Sequence, residues 1–288
     1  MADALRALVD AVGLDVAYCA ELEADPDSAW THHFPTARSG HLWIATQSGS
    51  IWVGRGDETE LLQRGTAALI APGAPAWIGT SSADDPPPRV CDKDAFFGLP
   101  FHKSGVHHGS ARFGPLASEA LPLPDFVSTI EHPVADVDVA LTLQHMSEQA
   151  AHRWPGAQQD ALARMLVVTL VAAWRPPVLR DNSLTRCINA IAEPGPPPTV
   201  PDLAAITNIS DRTLRRRFSA ETGLSPDAFV RWFRTLAARR ALLNGDDPAA
   251  VASRYGYPST RAMRRTLTRV EQTVTRLPSP DEQSRILR

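Results

Sequence analysis

The chain has 288 residues, 43% of them apolar, enough for two domains that each bury a core. No apolar run approaches the ~18–20 residues of a membrane-spanning helix, and Asp3, Arg6 and Asp10 stand where a secretory signal would be apolar, so a cytoplasmic protein without membrane segments is expected. The net charge of -3 marks no polyanion-binding protein as a whole, but it conceals two halves of opposite sign.

Residues 2–12 carry apolar side chains at helical spacing and stop at Gly13, which predicts one short amphipathic helix. From about Tyr18 to Phe101 the pattern turns to short apolar or aromatic runs, Leu42-Trp43-Ile44-Ala45, Ser50-Ile51-Trp52-Val53 and Ala67-Ala68-Leu69-Ile70, separated by Gly and Pro turns. These predict a small antiparallel β-barrel or sandwich, with Asp84-Asp85-Pro86-Pro87-Pro88 as a surface loop. Cys19, Cys91 and Cys187 are odd in number and outside any CxxC spacing, which argues against a disulfide framework and a structural zinc site and predicts buried, reduced thiols. Between Val134 and Trp174 the helical period returns, with Val137, Leu141 and Met146 before a break at Pro155-Gly156, and Leu162, Met165, Leu166, Thr169, Leu170 and Ala173 after it. An antiparallel helical hairpin follows, which either packs on the barrel or offers its apolar face to a second copy of the chain. Residues 175–182 read as an extended linker, so the domains are expected at 1–174 and 183–288.

From Ser183 onward there are 17 basic and 10 acidic residues, net +7, against 12 and 22 before it, net -10. All the basic residues of the C-terminal part are arginine, whose planar fork suits phosphate and guanine; Lys93 and Lys103 lie earlier. This part also contains an internal repeat. Leu203-Ala204, Asn208-Ile209-Ser210, Leu214 and Phe218 recur as Val251-Ala252, Gly256-Tyr257, Ser259, Met263 and Leu267, with Pro258 inserted. Asn208 and Gly256 suit a left-handed turn, and Ser210 and Ser259 are natural caps of the helices that follow. Each copy predicts a helix-turn-helix whose second helix enters the DNA major groove. Arg212, Arg215, Arg216 and Arg217 line the first such helix, and Arg261, Arg264, Arg265 and Arg269 the second. Between the copies, Ser225-Pro226-Asp227 begins and Gly245 ends a helix of roughly 18 residues, ~27 Å long, with Phe229, Phe233, Leu236 and Leu242 as its buried stripe.

Residues 199–270 resemble the DNA-binding domain of the AraC family, on Leu203-Ala204 to Ser210, Leu214-x3-Phe218, Glu221-Thr222-Gly223-Leu224-Ser225-Pro226, Arg234-x3-Ala238 and Val251-Ala252 to Gly256-Tyr257. The resemblance implies a sequence-specific transcription regulator, not an enzyme, that reads bases with Arg212, Arg215 and Arg216 in the first recognition helix and Arg261 and Arg265 in the second. Its implied partners are double-stranded promoter DNA, a second copy of the chain, a small-molecule effector and, as a further candidate, RNA polymerase. Leu267 departs from the family's Phe, and Thr268-Arg269-Val270-Glu271-Gln272 lacks the turn that normally follows, so weaker packing of the second copy is expected.

Gly65-Thr66-Ala67-Ala68-Leu69-Ile70-Ala71-Pro72-Gly73-Ala74-Pro75 resembles a turn of cupin barrels, and a helix, a cupin-like barrel and a helical pair precede the DNA-binding domain in some AraC-like regulators. The expected fold is therefore α+β: an N-terminal cupin-like β-barrel with a helical hairpin, and an all-α C-terminal domain with two helix-turn-helix motifs. Trp77 stands where metal-dependent cupin enzymes place histidine, so no metal or other cofactor is expected; the alternative is a cupin-type enzyme with a DNA-recruitment domain. His32-His33 and His102-x4-His107-His108 leave a metal-sensing variant open. For an organic effector, Trp43, Trp52 and Trp77 are the expected inward-facing wall, with Tyr18 and His41 as polar partners, although core packing explains the tryptophans equally well.

Overall fold

The computed structural model describes residues 2–23, 30–34, 40–47, 50–56, 58–73, 75–80, 105–114, 123–130, 139–146 and 156–276. The loop at Asp84–Pro88, His102, Cys91 and Val137 lie outside them. The chain forms two compact units. One comprises Asp15–Arg112 and Leu123–Trp174, the other Met1–Leu14, Phe113–Pro122 and Arg175–Arg288.

In the first unit, strands β1 (Asp15–Glu23), β8 (Gly105–Arg112), β3 (His41–Thr46), β6 (Ala67–Ile70) and β9 (Phe126–Ser128) form one antiparallel sheet in that order. Strands β2 (Thr31–Phe34), β7 (Ala76–Gly79), β4 (Ile51–Arg55) and β5 (Glu58–Leu62) form the other. Period-two alternation explains the packing: Ile44, Ala68, Ile70 and Val106 of the larger sheet and Ile51, Val53, Leu62 and Ile78 of the smaller one belong to one buried cluster. Ser128 Oγ donates to Glu60 Oε1 at 2.6 Å and ties the two sheets together. The expected barrel is thus open: among the described residues no ladder joins one sheet to the other. Residues 139–146 are helical, and helix α2 (Gly156–Trp174) packs across β1, β6, β8 and β9. The buried stripes of this pair are Val139, Leu143 and Met146, and Ala163, Leu166, Val167, Leu170 and Val171; Leu141 and Met165, which belong to the same apolar period in sequence, are exposed.

The second unit is helical. It contains α1 (Ala2–Val12), α3 (Pro177–Arg180), α4 (Asn182–Ala192), α5 (Val200–Thr207), α6 (Asp211–Thr222), α7 (Pro226–Leu243), α8 (Pro248–Arg254) and α9 (Thr260–Arg276). Helix α1 ends at Gly13 with φ 67, as its sequence predicts, but it packs here rather than with the strands. Ala4, Leu8, Ala11 and Val12 share one buried cluster with Leu184, Cys187, Ile188, Phe229 and Phe233. Residues 175–182 are not an extended linker: Pro177 starts a helical turn, Val178 and Leu179 are buried in that same cluster, and Asp181 caps α4 by accepting from Ser183 N at 2.7 Å. Cys187 is buried, whereas Cys19 is exposed, because the register of β1 against β8 shifts between Tyr18 and Ala20 and lifts the residue between them out of the ladder. Among the described residues no helix is long and apolar enough to cross a membrane.

Candidate nucleic-acid interface

The two repeats fold as the sequence spacing predicts. In the first, a capping box starts α5: Thr199 N donates to Asp202 Oδ2 at 2.8 Å, and Asp202 N donates to Thr199 Oγ1 at 3.4 Å. Asn208 ends α5 in the left-handed region, at φ 56 and ψ 41, and so turns the chain sharply. Ser210 Oγ then accepts from Thr213 N at 3.3 Å and starts α6, whose Leu214 and Phe218 are buried at i, i+4 spacing. In the second, Asp247 caps α8 by accepting from Ala250 N at 2.8 Å, and Gly256 makes the turn at φ 70. Ser259 Oγ accepts from Ala262 N at 3.1 Å, and Met263 and Leu267 of α9 are buried.

Burying one stripe of each helix leaves the opposite face in solvent. Arg212, Arg215 and Arg216 of α6 are exposed, as are Arg261, Arg264, Arg265 and Arg269 of α9. They are not equivalent. Arg215 Nη1 lies 3.0 Å from Asp227 Oδ2 at the start of α7, and Arg217 Nη1 lies 2.9 Å from Asp181 Oδ2, so Arg217 secures the first recognition helix to the cap of α4. Arg212, Arg216, Arg261 and Arg265 make no ion pair among the described residues. Between the repeats, Ser225 caps α7 by accepting from Ala228 N at 3.3 Å, and Gly245, at φ 89, follows its end. Its 18 residues span ~27 Å, and Phe229, Trp232, Phe233 and Leu236 are buried, with Leu242 partly so.

The weaker packing expected for the second repeat has a counterpart in composition. Met263 and Leu267 pack with buried Ala238, Ala241, Val251 and Ala252 and with partly buried Leu242, Tyr255 and Tyr257, whereas α6 packs through Phe218 against Phe229, ring centroids 5.4 Å apart, in a buried cluster that also holds Trp232 and Phe233. Helix α9 continues through 268–272 to Arg276, where the family pattern has a turn.

The five residues expected to hold an effector are not gathered. Tyr18 and Trp43 are neighbours, with ring centroids 6.1 Å apart, but the register sets Trp43 beside Tyr18, Gly109 and Leu69, on the face of the larger sheet opposite to Ile44 and the sandwich interior. Trp43 Nε1 donates to Ala17 O at 3.2 Å, and Tyr18 N donates to Asp160 Oδ1 of α2 at 2.8 Å. Beside them His107 is buried, its Nδ1 3.3 Å from Tyr18 Oη and its Nε2 4.0 Å from Glu21 Oε1. Burial pushes this imidazole down to about 4 and the Tyr18 phenol well up. Trp52 and Trp77 alternate with Ile51, Val53 and Ile78 and so take the outer face of the smaller sheet, where the Trp77 indole lies directly over Gly54. His41 begins β3; burial, with Arg55 nearby, pushes it down to about 4.

Of the polar and aromatic residues that do face the interior, Trp30 and Phe34 were not singled out from the sequence, and His32 and His108 were weighed only as metal ligands. Trp30 and Phe34 pack on the sandwich core, and Phe34 touches His32 and His108, at centroid distances of 4.6 and 5.2 Å. The two imidazoles stand 6.3 Å apart, and burial holds both below the usual histidine range, His108 at about 4. The signal is the period of two in Trp30, His32 and Phe34. Of the histidines weighed for a metal, His33 pairs with Trp77 on the outer face; among the described residues no three His, Cys, Asp or Glu groups converge to hold one.

Residues 203–274 match the family described as helix-turn-helix domain. No curated protein sequence matches the chain. Among solved structures it is similar to ToxT from Vibrio cholerae strain SCE256 with an unsaturated fatty acid bound, at 8% identity over 94% of this chain and 93% of that one, TM-score 0.33. It is similar also to ToxT from Vibrio cholerae O395 bound to (E)-4-(8-methylnaphthalen-1-yl)but-3-enoic acid, at 10% identity over 88% and 93%, TM-score 0.34. A third is the AraC-like transcriptional activator CuxR, at 14% identity over 84% and 89%, TM-score 0.30. Likenesses this slight carry no argument about fold or ligand.

Proposed function

We propose that this chain, whose residues 203–274 form a helix-turn-helix domain of the AraC type, is a sequence-specific transcription regulator rather than an enzyme. The observation that carries the reading is the pairing of two capped recognition helices, each with its apolar stripe buried and arginines exposed on the other face, across an 18-residue helix. That spacing suits two major-groove contacts about one DNA turn (~34 Å) apart. Arg212, Arg216, Arg261 and Arg265 are the proposed base and phosphate contacts; Arg215 joins them by exchanging Asp227 for a phosphate. The sheet unit is the proposed sensor of a small-molecule effector. Trp30, His32, Phe34 and His108 are better candidates than the tryptophans of the outer faces, because neutral imidazoles among aromatic rings combine apolar walls with a few hydrogen-bonding groups. Exposed Leu141 and Met165 support a second copy of the chain as partner. The test is a mobility-shift titration of the full chain on genomic promoter fragments at rising salt. One fragment held against excess competitor, with affinity falling steeply in salt, is expected; uniform binding to all fragments sinks the reading.

A further inference from the structure

Arg234 is the most unusual side chain of the helical unit. It lies on α7 between the two repeats, is only 4% exposed, and has no carboxylate partner among the described residues. A buried guanidinium without a counter-charge is costly unless its donors are satisfied. Here the two Nη groups meet backbone carbonyls of a single loop, Nη1 donating to Gly195 O at 2.5 Å and Nη2 to Glu193 O at 3.2 Å and Pro196 O at 3.4 Å, while Nε is buried without a hydrogen-bond partner among the described residues. This loop, Glu193-Pro194-Gly195-Pro196-Pro197-Pro198, leads directly to Thr199, the cap of the first helix-turn-helix. Its prolines remove donors and stiffen it, so the carbonyls stay aimed.

The other side of the loop is held by the second helix-turn-helix. Gly195 N donates to the carbonyl of Arg254, the last residue of α8, at 3.0 Å. The turn residue Gly256 comes so close that an added Cβ would lie 2.7 Å from Pro197 Cδ, 3.0 Å from Gly195 O and 3.2 Å from Arg234 Nη1. At φ 70 a side chain is disfavoured there in any case, so glycine serves both the turn and the approach.

We propose that Arg234 is a positioning residue for DNA recognition, clamping the 193–198 loop against the turn of the second helix-turn-helix and so fixing the second recognition helix relative to the first. It touches no DNA itself. A lysine in its place presents its three N–H donors from one nitrogen on a flexible stem and does not match carbonyls spread across the two ends of a planar fork, and an apolar residue would hold none. The inference rests on the function proposed above, in which both α6 and α9 dock on one duplex.

The experiment uses the full chain and a duplex selected by the wild-type protein from a random-sequence pool. Hydroxyl-radical footprints, affinities on duplexes with one base pair added or removed between the half-sites, and thermal unfolding are recorded for wild type, Arg234→Lys and Gly256→Ala. Wild type is expected to protect two half-sites and lose about tenfold in affinity when their spacing changes by one base pair. Both variants, still folded at the assay temperature, should keep the half-site bound by α6, lose protection over the other, and show little spacing penalty. Variants that protect both half-sites with the wild-type spacing penalty overturn the inference, as does loss of both half-sites in step with unfolding. A wild-type chain that selects no duplex, or a site with one half only, instead overturns the reading of two docked helices.

Discussion

Arg215 and Arg216 are adjacent on α6 and both exposed, yet one is tethered and the other is free. Arg215 is ion-paired with Asp227, and Arg216 has no partner among the described residues. If Arg216 makes a bidentate guanine contact, Arg216→Ala should cost ~1–3 kcal/mol on the preferred site and relax base preference at one position. Arg215→Ala should cost less, because the native side chain must first leave its carboxylate. Titrations on single-base operator variants decide this; equal losses from the two substitutions would show that the ion pair is irrelevant. That both arginines reach solvent was legible from Leu214 and Phe218 on the opposite stripe. Which of them is tied was not, because Asp227 lies 12 residues from Arg215, on another element. The tryptophans fail for a related reason: Trp43 and Ile44 are neighbours in sequence, and only the pairing of β3 with β6 and β8 decides which of them enters the sandwich.

Helices, caps and turns were the most legible level, because their determinants are local: Gly13, Asn208, Ser210 and Ser225 each act within one turn of chain. The core that a helix joins is not a local property. The stripe Ala4, Leu8, Ala11 and Val12 announces an amphipathic helix but carries nothing to distinguish a sheet from the helices Asn182–Ala192 and Pro226–Leu243, which it covers. Since Leu8 is fully buried in that cluster, Leu8→Ala should destabilise the helical unit by ~2–5 kcal/mol, and a fragment from Ser183 to Arg288 should unfold more easily than the unit in the intact chain. Denaturant titration monitored at Trp232 provides the measure; an unchanged midpoint for Leu8→Ala would remove α1 from the core. The two recognition helices differ on the same ground. Phe218 anchors α6 among buried aromatic rings, whereas Met263 and Leu267 anchor α9 on three buried alanines and a valine, with Leu242, Tyr255 and Tyr257 only partly buried around them, so the first half of α9 should exchange its amides faster than α6 in the free protein and gain protection on DNA. Equal protection in the free protein would show the second repeat to be as firmly held as the first.

At the scale of the whole molecule the opposite charges of the two halves were legible, and the discontinuous helical unit was not, since it draws on both ends of the chain. A further asymmetry separates the units in their response to acid. Every histidine precedes residue 153, and His41, His107 and His108 of the sheet unit are each pushed down to about 4, with burial the largest cause. An unfolded chain binds protons at these positions near pH 6.5, whereas the folded sheet unit resists them until about pH 4. Between those values the unfolded state holds more protons, so stability of the sheet unit falls as pH is lowered from 6.5 and is full only above it. The helical unit lacks histidine in its described residues and has no such term. Scanning calorimetry at pH 7.5 and pH 5 should therefore show the transition of the sheet unit moving to lower temperature while that of the helical unit shifts less. His108→Phe, which sets an apolar ring beside Phe34 and removes one titrating group, should flatten the dependence between pH 6.5 and 4. A sheet transition that stays in place on acidification, or a variant whose pH dependence equals the wild type's, would mean that these imidazoles are already protonated in the folded protein.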